Sequence, residues 1–348
     1  MKYGVYTAIL HDRPLPEALS VISELGLGAA EINVGGFLPP IHMPTIDDIL
    51  TSDDARDEYL ATFAEAGVEL AGLNANGNPL HPNPEIGPPT LADIERAVRV
   101  AARLGQTRVV TMSGLPGADP TAPKPSWVVN PWESSLLDTL DQQWDVAVPV
   151  WRDLDRLAAD NGVKIAIEMH PHNLVFNPAT LIRLIERTEA TNIGAEMDPS
   201  HLFWQGIDPV AAIEHLGELV VHAAAKDVRI NGNAAINGVL DDRHSRFTGE
   251  RITEIRGGAA ISAWPQESAW DFVALGKGHG QDFWNRFVAA LATVDPNMAV
   301  HIEHEDETLG RIEGLQTAAE VLLTAAQKVN PTGHTASAGQ PTAAAAAE

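Results

Sequence analysis

The chain has 348 residues, 45% hydrophobic and 20% charged, with a formal net charge of −24 and no cysteine. That length suits one large α/β domain with a sizeable core, and the acidity opposes binding to nucleic acid or an anionic membrane surface. The absence of cysteine excludes disulfides, a thiol nucleophile and a thiolate metal site, so any metal must sit on oxygen and imidazole ligands.

The N-terminal stretch MKYGVYTAIL has neither the long apolar region nor the small-residue cleavage site of a signal peptide. No run approaches the roughly 18 apolar residues that span a bilayer, so the expected location is cytoplasmic. Short apolar runs at 4–9, 29–34, 70–74, 108–112, 164–168, 193–198, 220–225 and 298–303 read as strands. His11 is expected to end the first of them, and Gly26-Leu27-Gly28 closes the first helix. Amphipathic segments at 90–104, 144–160, 178–186, 209–216, 281–291 and 309–327 have helical spacing. Eight such alternations predict α/β architecture, a single (β/α)₈ TIM barrel with long loops at its C-terminal mouth; an open doubly wound sheet is the alternative. Two connections are long: 113–141, rich in proline, and 229–280, rich in glycine and charge. The barrel is expected over 1–328, with 229–280 a lid and 329–348 a disordered low-complexity tail.

Alternate side chains of a strand face opposite sides. In 164–168, Ile165 and Ile167 suit the helix-packed outside, which turns Glu168 inward. The same parity turns Glu196 and Asp198 inward on the sixth strand and His301 and Glu303 on the eighth. Glu168, Asp198 and Glu303 are then each the last inward residue of their strand. Three converging carboxylates repel unless a cation or a proton intervenes, and oxygen and imidazole ligands suit Mn²⁺ or Mg²⁺. Ordinary surface acids at strand ends are the plainer alternative.

SGLPG at 113–117, IEMHP at 167–171, FNPATL at 176–181, MDPSHLFWQGIDP at 197–209, HAAAKDVRI at 222–230 and IEHED at 302–306 resemble the xylose isomerase-like TIM-barrel family of sugar phosphate isomerases and epimerases. GNPLHPNPE at 77–85 fits the same group. The resemblance runs from about residue 2 to 328. It implies a divalent metal held by Glu168, Asp198, Glu303 and a seventh-strand histidine, with His201 helping to bind substrate or metal. In related ketose epimerases the two metal-bound glutamates remove and return a proton beside a carbonyl, which would make Glu168 and Glu303 the catalytic pair. The family's seventh strand ends His-x-His-x-Lys-Asp, and the second histidine is the ligand. Here that position is Ala224, so the metal is expected to be weak or absent. His222 has the right parity but lies one layer deeper, roughly 6–7 Å down the strand. Lys226 shares the parity at the mouth, where its ammonium would partly neutralise the carboxylates. Glu196, His222 and His301 are expected to form a buried ion-paired layer below.

Softer substrate-binding candidates are His81 after the third strand and Arg229 and His279 at the ends of the long seventh loop. Trp127, Trp132, Trp204, Trp264 and Trp270 fall in or near mouth loops. The first functional reading is a sugar or keto-sugar isomerase or epimerase working by proton abstraction α to a carbonyl. A lyase or hydratase of 3-keto-glycosides, a subunit of a C-glycoside-cleaving enzyme with a small partner, shares that first step. A degenerate, non-catalytic sugar-binding barrel is the third reading, and DNA repair is remote at this charge. The expected partner is a small sugar; a homo-oligomer or a small partner subunit is compatible.

Overall fold

The computed structural model describes residues 1–247 and 254–329. Eight strands form a closed barrel in sequence order: Lys2–Tyr6, Ala29–Asn33, Glu69–Asn74, Arg108–Met112, Lys164–Glu168, Ile193–Met197, Val220–Ala225 and Ala299–Ile302. Every neighbouring pair is parallel, and the eighth strand returns to the first. The expected barrel is therefore present. The expected tail, beyond its first residue, lies outside the described residues.

The outward residues Val5, Ile32, Leu73, Val109, Ile165, Ile167, Met197, Ala223 and Ile302 join one apolar core with helix residues such as Leu19, Ile94, Trp151, Phe287 and Leu322. The barrel floor is filled separately, by Ala29, Ala71 and Ala299 and by Val110, Ala166 and Val221. Two bulges supply part of that filling. Ala30 pairs with Leu70 and Glu31 with Gly72, which leaves Ala71 extra. Ala195 pairs with Val220 and Glu196 with His222, which leaves Val221 extra. A bulge of this kind lets successive residues face the same side.

Gly4 shows how tight the floor is. A Cβ there would lie 2.0 Å from the carbonyl oxygen of Ala29, a backbone atom that cannot swing aside. Gly4→Ala is expected to destabilise the fold by roughly 3 kcal/mol through overpacking. A urea-unfolding midpoint unchanged from the parent would refute this.

Two boundaries differ notably from the sequence reading. The first strand ends at Tyr6, and Thr7–Leu10 turns into a 3₁₀ helix. There Thr7 donates its hydroxyl to the Glu31 carbonyl at 3.1 Å and Leu10 is buried. His11 therefore does not end a strand; it is exposed, with Nδ1 2.9 Å from the Ala8 carbonyl. The loop after the fourth strand is shorter than expected, because the next helix runs Ser135–Asn161. Its first turns are largely exposed, with only Leu136 and Leu140 turned toward the apolar face that Trp144 and Ala147 continue.

The long seventh connection does not build a barrel-independent core. Asp227–Ile230 and Trp270–Val273 pair as an antiparallel ribbon. Trp270, Trp264 and Phe272 then pack with Trp204 and Trp127 of other loops. Farther along, Arg256 donates its backbone N–H to Phe37 at 3.2 Å and its guanidinium to Asp93 at 2.5 Å. The segment thus reaches from the seventh strand to the loop after the second strand and the helix Gly87–Arg103 after the third. No helix is long and apolar enough to cross a membrane among the described residues.

Candidate active site

Strand ends deliver the chemistry to one place. Glu168 closes the fifth strand, Asp198 follows the sixth and Glu303 follows the eighth. Each offers a carboxylate oxygen to a cluster whose members lie within 4.8 Å of one another. The Glu303 N–H donates to Ala225 at 3.2 Å, which holds this residue in register just past its strand. The turn after the sixth strand curls into Ser200–Phe203, where the Ser200 N–H donates to Asp198 Oδ1 at 2.8 Å. This places His201 Nε2 3.3 Å from Asp198 Oδ2 and 3.2 Å from Glu168 Oε1. His170 stacks edge-on to His201 with ring centroids 4.2 Å apart. From the seventh strand, Lys226 donates to Glu303 at 3.2 Å and to Glu305 at 2.7 Å, with Phe272 of the ribbon against its ammonium.

The electrostatics divide the carboxylates. Burial works to raise Glu168, but attraction from His170 and the neighbouring His201 and Lys226 hold it at about 2. Burial pushes Asp198 up to about 7, with Lys226 opposing and Glu168 adding. Burial also lifts Glu303 well above the usual carboxylate range; Lys226 opposes this and Glu168 and Asp198 reinforce it. Burial drives His201 down to about 3, so its imidazole is neutral. Lys226 resists its own burial because Glu305, Glu303, Asp198 and Glu168 surround it, and it stays charged.

These residues fit a divalent cation. Asp198 Oδ2 is buried without a hydrogen-bond partner, and hard oxygen ligands in a group of three are the donor set for Mg²⁺ or Mn²⁺. The seventh-strand position offers only a methyl group, since Ala224 is buried inside the barrel beside His301.

The remaining sequence candidates fall elsewhere. His81 is used locally, its Nδ1 accepting the Asn83 N–H at 3.0 Å. His279 stacks on Phe203 at 3.5 Å and pairs with Asp227, whose Oδ2 also accepts three backbone N–H groups. Arg229 is half-exposed, donates to Asn231 and Asp271, and lines a cavity of about 580 Å³ on the ribbon with Trp264 and Ser268. None of these three makes a hydrogen bond or ion pair with Glu168, Asp198 or Glu303. The expected layer below the mouth is also different in membership. His222 and His301 both meet Glu31, while both Glu196 oxygens are buried without a partner.

Several residues at or below the mouth had no sequence signal strong enough to single them out. Asn76 donates to Glu168 Oε2 at 2.6 Å and Glu305 shares Lys226. Tyr6 keeps its proton, because burial and then Glu303, Glu31, Glu168 and Glu196 raise it well above the ordinary phenol. Glu31 alone was readable, as the one acid within the apolar second strand.

The family described as xylose isomerase-like TIM barrel matches residues 19–325. The chain belongs to that family. Its relative YfiH of Bacillus subtilis (strain 168) is 33% identical over 327 residues, covering 92% of this chain and 98% of that protein. An inosose dehydratase of Clostridium botulinum (strain Alaska E43 / Type E3) is 23% identical over 164 residues, 47% of this chain and 52% of that one. Among solved structures, the probable 3-DHS dehydratase AsbF of Bacillus anthracis superposes with a TM-score of 0.61 at 14% identity, covering 93% of this chain and 99% of that one. A xylose isomerase-like TIM barrel protein of Mycobacterium smegmatis in complex with magnesium gives 0.59 at 17% identity, with 92% and 91% covered. The 3-keto-D-glucoside 4-epimerase YcjR of E. coli gives 0.58 at 15%, with 94% and 99% covered.

Proposed function

We propose that this protein is an isomerase or epimerase of a sugar or keto-sugar, removing and returning a proton next to a carbonyl. The observation that supports it best is the convergence of Glu168 and Glu303, with Asp198, within 4.8 Å at one mouth, in unlike surroundings. Glu168 is held ionised and Glu303 is pushed toward its protonated form. Two carboxyl groups driven apart in this way suit a base and an acid acting on one substrate.

Glu168 takes the proton from the carbon beside the carbonyl, and the electron pair left behind forms an enediolate. Glu303 returns a proton to the same carbon from the other face, or to its neighbour, and the product leaves. Asn76 fixes the Glu168 carboxylate through its 2.6 Å hydrogen bond, and Lys226 fixes Glu303. Asp198 joins both glutamates in holding the cation, whose positive charge, when bound, stabilises the enediolate oxygens. Neutral His201 is placed to hydrogen-bond a substrate hydroxyl. The ribbon, with Phe272 against His201 and Lys226, acts as a lid that excludes water from the enediolate. The likeness to a 3-keto-glucoside epimerase is in keeping with this chemistry.

A dehydratase shares the first step and then expels a β-hydroxyl. The inosose dehydratase relative favours that reading. Ketohexoses and 3-keto-glucosides incubated in D₂O with Mn²⁺ and followed by NMR separate the outcomes. Exchange of the α-proton with formation of an epimer or isomer is expected. Exchange with loss of water would make the protein a dehydratase, and no exchange with any of these substrates would overturn both.

A further inference from the structure

Below the mouth, three buried side chains from non-consecutive parts of the chain converge on one point. Glu31 comes from the second strand, His222 from the seventh and His301 from the eighth, and all are at most 1% exposed. Glu31 Oε2 lies 2.7 Å from His222 Nε2 and 2.8 Å from His301 Nδ1, and the two nitrogens lie 3.1 Å apart. Hydrogen bonding explains at most two sides of this triangle. If both imidazoles donate to the carboxylate, two N–H groups face each other. If one donates to the other, the acceptor nitrogen turns a lone pair toward the carboxylate oxygen. With Glu31 ionised, every placement of protons leaves one side repulsive.

A cation removes the conflict, because each of the three atoms then presents a lone pair. The dimensions also agree. Bonds of about 2.0–2.2 Å at right angles set neighbouring donors roughly 2.8–3.1 Å apart, whereas tetrahedral angles spread them to roughly 3.3–3.6 Å. The triangle thus has the size of one face of an octahedron. We propose that Glu31, His222 and His301 form a second metal site, specific for a divalent first-row transition ion, beneath the mouth of the barrel.

Its surroundings are built to match. Asn74 donates to Glu31 Oε1 at 2.8 Å, which turns Oε2 toward the imidazoles. Gly72 leaves room for the ring of His222, since a Cβ there would lie 3.0 Å from its Cε1. Glu196 is paired in register with His222, is fully buried and has both oxygens unpartnered. A buried, unpartnered carboxyl group beside His222 is one that a nearby cation would stabilise. The site is separate from the mouth cluster. His301 precedes Glu303 by two residues and Glu196 precedes Asp198 by two, a step of about 6–7 Å along a strand. The ion would tie the second, seventh and eighth strands together where the barrel closes.

The test uses Co²⁺ and the full chain. Glu168→Gln with Asp198→Asn and His201→Gln disables both donor groups at the mouth, so any ion held after desalting sits below it. About one equivalent is expected, with two imidazoles in its X-ray absorption spectrum, and adding His301→Gln should cut retention at least tenfold. Wild type would hold a second equivalent only if the mouth also binds metal, so failure of the proposed mouth chemistry leaves this result intact. The inference is overturned if the mouth-disabled protein holds no Co²⁺, or if His301→Gln retains it fully. Should His301→Gln fail to fold, the imidazole count in the mouth-disabled protein decides alone, and fewer than two overturns the site.

Discussion

Glu168→Gln is expected to lower turnover of the active keto-sugar by about a hundred- to ten-thousand-fold, the usual contribution of a positioned general base. The amide keeps the shape and still has an oxygen for the Asn76 hydrogen bond, so with the cation kept saturating the loss reports the base rather than a collapsed or emptied site. It should fall on kcat and on kcat/KM together, since the proton is taken only in the transition state. Exchange of the α-proton with solvent should fall in parallel, because Glu168 acts in that first step. Glu303→Gln gives the contrasting result. Exchange should survive better than product formation, because the carbanion still forms and can be reprotonated from its original side. Equal loss of exchange in the two variants would refute the division of labour. Full activity in Glu168→Gln, with the melting temperature unchanged, would refute the mechanism.

The barrel was legible because strand and helix periods are local. The runs 108–112, 164–168 and 220–225 match their strands at both ends, each being a short, largely apolar stretch. Parity then carried Glu168, Asp198 and Glu303 to one mouth, since an inward-facing acid in an otherwise apolar strand has few places to go. Register was not legible. The bulges at Ala71 and Val221 each add one residue, which barely disturbs the apolar pattern of a strand yet turns its neighbours inward. Glu31 shows a second limit. Its parity was readable, but its partners stand 191 and 270 residues away, and no local pattern links them. The loop residues show a third. His81, Arg229 and His279 are polar groups after strands, and their sequence neighbours do not show that Asn83, Asp271 and Asp227 engage them first.

Ala224→His is expected to tighten divalent metal binding at the mouth by at least about tenfold, by analogy with the 10–100-fold losses when metal-site partners are removed. The register sets Ala223 beside Met197, so the next residue, Ala224, stands level with Asp198 and faces the barrel interior. An imidazole there replaces a water on the ion and adds a ligand without adding charge. Lys226 sets the opposing term. Its ammonium already answers part of the negative charge of Glu303 and Asp198, so the wild-type cage has less to gain from a cation. Thermal melts read the balance directly, because a site filled at 100 times its Kd adds about 2.7 kcal/mol. A tenfold difference in Kd is worth about 1.4 kcal/mol, so at roughly 2 °C per kcal/mol for a domain of this size, Mn²⁺ should raise the melting temperature of Ala224→His by at least about 3 °C more than that of wild type at the same Mn²⁺ concentration. Ala224→Leu fills the same space without a ligand and should show no Mn²⁺ gain over wild type. If wild type already binds Mn²⁺ as tightly as the histidine variant, the alanine is not what limits the site, and His201 becomes the imidazole to test next, since its Nε2 stands between Glu168 and Asp198.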